Sequence, residues 1–198
     1  QGGDTYIFGR GYGHDVIVDN DVSLSIFAPP PIDKLKFIHD VRWTDIEFLD
    51  SPDPLHPSAT LHGISLASSR RPREEARRLA ATINLDEAGL IIIHGFALGH
   101  HVPALAPRMG DHTVALIHEP DAALLRAAFE RIDHTAWLAS GRVRILLDAP
   151  DTGAITAALR GWEAPLSIGV AFLIHPPSHA RLAERIPPFE AALSRAIA

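Results

Sequence analysis

Leu90-Ile91-Ile92-Ile93-His94-Gly95-Phe96-Ala97-Leu98-Gly99-His100-His101, followed by Thr113-Val114-Ala115-Leu116-Ile117-His118-Glu119-Pro120-Asp121, is the text that decides the fold. Each stretch opens with an uninterrupted apolar run, the composition of a parallel strand covered on both faces. The first run ends in a turn bearing Gly95 and Gly99, which lets a ligand approach the backbone and the N-terminus of the following helix. The second ends in an acid, Glu119, where a dinucleotide-binding fold grips a ribose. Together they predict a Rossmann-like half-site. Its cofactor-binding candidates are Gly95, Ala97, Gly99 and Glu119, and its ligand class is a nucleotide or nucleotide-sugar. A Cβ at Ala97 resists positive φ and blocks the closest approach of a phosphate.

Downstream and upstream of this core the text keeps alternating. Strands are expected over 90–94, 113–118, 143–147 and 166–174, and helices over 100–108, 121–132, 151–160, 178–186 and 188–197. A further helix begins at Pro72, where proline suits a first turn, Glu74 and Glu75 favour the positive helix end, and Ala76, Leu79, Ala80 and Ile83 share one face. The pattern implies an α/β fold: a mostly parallel sheet over 72–198 with helices on both faces, joined by right-handed crossovers. Residues 51–71, rich in proline and serine, read as a linker. Residues 1–50 read as a small β-rich segment without helix.

From about Ser69 to about Ala191 the chain resembles the N-terminal domain of the motility accessory factor (Maf) flagellin glycosyltransferases. The resemblance is carried by Arg73-Glu74-Glu75-Ala76, Ala88-Gly89-Leu90-Ile91-Ile92, Gly95-Phe96-Ala97-Leu98-Gly99-His100-His101, Glu119-Pro120-Asp121, Ile132-Asp133-His134 and His175-Pro176-Pro177-Ser178. It implies a role in attaching nonulosonic acid sugars to Ser or Thr of flagellin. The transfer chemistry of that family belongs to a central domain, so no catalytic residue is expected here, and the expected partners are flagellin or the adjoining transferase domain. The family's turn is closer to Gly-x-Gly-x-Gly-Tyr-His; here Ala97 replaces the middle glycine and His100 the tyrosine.

Gly2 to Asp19 resembles the terminal repeats of RTX (haemolysin-type) calcium-binding proteins, in which an Asp precedes an inward apolar residue by two positions. Asp4/Tyr6 and Asp15/Ile17 fit that pairing, which makes Asp4 and Asp15 the calcium candidates. Residues 33–37 and 45–48 read as the strand pair that trails such repeats. Against a calcium site, the two aspartates are eleven positions apart rather than about nine, and a glycine-rich β-hairpin explains the same text.

Composition narrows the partners. The chain of 198 residues carries a net charge of -6, which disfavours nucleic acid and anionic membrane surfaces. It has no cysteine, which removes disulfides and thiolate chemistry. No apolar run approaches the roughly 18 to 20 residues of a membrane span. The text begins at Gln1 without a signal-like segment and reads as an excerpt, cytoplasmic by the Maf resemblance or secreted by the RTX one.

Twelve histidines stand out. His94, His118 and His175 fall at expected strand ends, and three converging imidazoles can hold zinc, although a strand-end histidine more often meets a loop carbonyl. Arg70, Arg71, Arg73, Arg77 and Arg78 form a basic cluster that reads first as a solvated helix face. No nucleophile elbow or Walker pattern is present. Two other readings remain open: a class I S-adenosylmethionine methyltransferase-like domain, and a secreted RTX-type calcium module.

Overall fold

A computed structural model describes residues 5–8, 34–37, 46–147 and 151–198. Two short strands, β1 (Thr5–Phe8) and β2 (Lys34–Phe37), pair in parallel. The strands β3 (Ile46–Leu49), β4 (Ser58–Leu61) and β5 (Ile64–Ser65) form a separate antiparallel sheet. The α/β unit follows as α1 (Pro72–Ala81), β6 (Leu90–His94), α2 (His101–Leu105) with a 3-10 turn at Ala106–Arg108, β7 (Val114–His118), α3 (Ala122–Arg131), α4 (Thr135–Leu138), β8 (Val143–Leu146), α5 (Thr152–Leu159), α6 (Glu163–Ile168), β9 (Val170–Ile174), α7 (Pro176–Leu182) and α8 (Ile186–Ile197).

The main sheet has the order β8-β7-β6-β9 and is parallel throughout. The protein is therefore an α/β fold with a Rossmann-like parallel sheet. Strands β6 and β7 are buried along their whole length, as their apolar runs require. Side chains leave a strand on alternate faces, so Ile91 and Ile93 enter one core while Leu90 and Ile92 enter the other. The first core is closed by Ala80, Val102, Leu105, Leu124, Ala128 and Trp137, and the second by Ile155, Leu159, Phe189 and Leu193. Helices thus cover both faces.

Three expectations need correction. Residues 51–71 are no linker: they hold a hairpin whose two-residue turn, His62-Gly63, has φ of 50° and 76°, the positive values a right-twisted hairpin favours. Ala59, Leu61, Leu66 and Ala67 of this stretch are buried in the same core as Ile91 and Ile93. The apolar text of 166–174 is not one strand, because Gly169 at φ 146° divides it into the end of α6 and β9. Lys34–Phe37 pairs with Thr5–Phe8, whereas Ile46–Leu49 pairs with Ser58–Leu61, so the two do not form a strand pair. Asp4 and Asp15, the calcium candidates, lie outside the described residues.

Candidate functional site

The chain runs β6, β7, β8 outward on one side and then returns to place β9 on the other side of β6. Loops leaving the carboxyl ends of β6 and β9 therefore diverge, and such a switch point is where open α/β sheets bind ligands. The loop after β6 carries the glycine turn, and the loop after β9 carries His175-Pro176-Pro177-Ser178.

The turn is packed by the protein itself. Gly95 has φ 92°, and a Cβ there would stand 2.3 Å from the Ser178 Cβ. Gly99 has φ 73°, and a Cβ there would stand 2.4 Å from the Phe96 ring and 2.8 Å from His134. Both glycines are needed for close approach, and what approaches is α7 and the Phe96 ring. Ala97 does adopt the left-handed region, at φ 49°, despite its Cβ.

Glu119 sits at the expected strand end but is fully buried. Its Oε2 accepts the Phe96 N–H at 3.0 Å and the Ala97 N–H at 3.4 Å, and its Oε1 accepts the Asp121 N–H at 3.1 Å. Arg181 on α7 donates to both oxygens, at 2.9 and 2.7 Å. A carboxylate offers about four lone-pair sites, and five N–H groups compete for them. No acceptor is left for a ribose hydroxyl. Burial opposes the charge of Arg181, but Glu119 outweighs it and holds the guanidinium above its ordinary range. The turn's amides, its acid and a distant arginine thus form one closed lock. Arg181 escaped the sequence reading because nothing in the text says which helix returns to Glu119.

Beside the lock lies an open cleft of about 400 Å³ counted to its mouth. Its walls are Leu66, Ala76, Leu79 and Leu98, with His101 and His175 at its base. His101 stacks on His175, ring centroids 5.3 Å apart, and its buried Nε2 has no hydrogen-bond partner among the described residues. His175 shares a hydrogen bond with Ser178 Oγ at 2.9 Å. His100 bonds the Pro57 carbonyl at 2.7 Å, which ties the small sheet to this edge.

His94, His118 and His175 do not converge. His94 and His118 approach each other at 3.4 Å and pack on Phe189, in the core of the opposite face, while His175 joins His101. Among the described residues no group of three or more histidines or carboxylates could hold a metal ion. Arg70, Arg71, Arg73, Arg77 and Arg78 are exposed, with Glu74 paired to Arg71 and Arg78. Among the described residues no helix is long and apolar enough to cross a membrane.

No protein-family model matches the sequence, and no curated protein matches it. Among solved structures it is similar to a spermidine synthase in complex with the transition state analogue AdoDATO, at 14% identity over 72% of this chain and 61% of that one, with a TM-score of 0.39. It is also similar to the spermidine synthase from Thermotoga maritima, at 16% identity over 76% of this chain and 59% of that one, with a TM-score of 0.38. The chain spans about three fifths of the length of these structures. At these scores the likeness carries no conclusion about site or activity.

Proposed function

We propose that this chain is a non-catalytic, Rossmann-like domain of the Maf flagellin glycosyltransferase type, which supports a transferase domain. The family reading rests on the ordered motifs from Ser69 to Ala191. The non-catalytic reading rests on one observation: Glu119 and the amides of Phe96 and Ala97 satisfy one another, with Arg181 completing the lock. A fold that ordinarily offers those groups to a ribose has turned them inward. On this reading the glycine turn is a structural joint.

A nucleotide-binding reading, of the S-adenosylmethionine-dependent kind, is favoured by the cleft at the switch point. Any such ligand would enter between α1 and the loop after β9, without Glu119. Titration calorimetry with S-adenosylmethionine and with a CMP-activated nonulosonic acid separates the two. No heat from either ligand, and no sugar transfer to flagellin by this chain alone, are expected. Saturable binding that Glu119→Gln weakens more than tenfold would overturn the lock.

A further inference from the structure

The segments after β6, α3 and β9 bring together a group of buried imidazoles. His100, His101, His134 and His175 are 6%, 2%, 3% and 7% exposed, and all lie at the carboxyl edge of the parallel sheet. His101 stacks on His175, and the His56 ring of the small sheet stands 5.3 Å from that of His100. His134 abuts Gly99 and accepts the Trp137 indole N–H at 3.1 Å. The cluster also reaches across to the segment 57–67: His100 bonds the Pro57 carbonyl, and His175 lines the same cleft as Leu66 and Ala67. His100 and His101 line that cleft with them.

We propose that this cluster is an acid-operated latch, which pins residues 57–67 to the sheet edge while its rings are neutral and opens the cleft when they gain protons. Charging the cluster places like charges side by side in a desolvated seam, a cost that exposure to water removes. Around His100 the facing groups are His56, Asp53, Glu75, His101, His134 and His175. Asp53 is already bonded to His56 at 2.8 Å, and Glu75 is exposed at the rim, where it accepts the Ser68 N–H. Among the described residues the charged or titratable groups facing His101 are other histidines: His175, His100 and His134. His175 faces Arg181, whose charge opposes a second cation, and His134 faces Asp133, which is itself exposed. Among the described residues no buried carboxylate stands ready to neutralise the cluster, since Glu119 is committed to Arg181.

The route of opening follows from the seam's composition. Protonated His134 can no longer accept the Trp137 N–H, so its hydrogen bond is lost with the first proton it takes. A protonated His100 can still donate to Pro57, so His100 releases the segment only by moving, with the strand, into water. The β4–β5 hairpin is short and joined to the core by Ala59, Leu61 and Leu66, whereas β6 and β7 are buried throughout. The hairpin is therefore the part that yields.

Hydrogen exchange of the whole chain at about pH 7.5 and about pH 5.5, corrected for intrinsic rates, spans the range in which histidine changes charge and tests the latch. Residues 57–67 are expected to lose protection by about tenfold or more at the lower pH while 114–118 keep theirs. Equal protection of 57–67 at both values, or its loss only together with 114–118, would overturn the proposal. The double variant His100→Gln, His175→Gln keeps a donor for the Pro57 carbonyl and cannot take the charge. Its segment 57–67 should lose less protection at the lower pH than the wild type's; loosening there to the wild-type extent would reject His100 and His175 as the sensor.

Discussion

At the scale of single residues, Glu119 and Ala97 carry opposite lessons. Neutralising Glu119 leaves Arg181 buried beside an amide instead of a carboxylate, and breaking a buried pair from one side costs about 3–5 kcal/mol. Glu119→Gln should lower the unfolding free energy by that amount, seen as a lower urea midpoint with the m-value unchanged. Ala97 holds φ 49°, a conformation costing an L-residue about 1–2 kcal/mol. Glycine there relieves the strain but loosens the unfolded chain by about 0.4–1 kcal/mol, so Ala97→Gly should stabilise by about 0.5–1 kcal/mol in the same assay. The position of Glu119 was legible, because a charged residue closing an apolar strand has few alternatives. Its occupation was not: Arg181 lies 62 residues away, and only the wrapping of α7 over the Gly95 turn makes them meet.

At the scale of elements, local chemistry predicts well where it is strong. Asp121 precedes α3 and accepts the amides of Ala123 and Leu124, each at 3.0 Å. Asp121→Ala should cost about 1 kcal/mol, seen as a lower melting temperature with the fold's circular dichroism intact. Strands β6 and β7 lie where their apolar runs place them, within one residue at Thr113. The apolar run before β9 was ambiguous, since periodicity alone cannot separate a short buried helix from a strand. Gly169 was the available signal for the break. The β4–β5 hairpin was hidden by its brevity and by a His62-Gly63 turn in place of the commoner Asn-Gly.

At the scale of the whole molecule, buried histidines set the response to acid. Desolvation lowers His94, His134 and His175 from the ordinary histidine value of 6.5 to about 4. Between those values the unfolded chain binds more protons than the folded one, so stability is full above about pH 6.5 and falls as pH drops toward 4. Each of the three contributes a loss of about 3 kcal/mol by the lower limit. Denaturant midpoints measured from pH 7.5 downward should decline steeply through this window, and a flat profile would contradict the buried, neutral state of these rings. The fold class was readable from composition and alternation, because both are local; the convergence of histidines from three separate loops was not. The bond from Glu119 to Arg181 also spans the molecule, joining the strand on one side of β6 to the helix that follows the strand on the other. Its inheritance is correspondingly constrained. A lineage that changes either partner first passes through a lone buried charge, whereas replacing both with apolar side chains of similar volume is close to neutral. The two positions are therefore expected to evolve by paired replacement, each holding the other in place until both change.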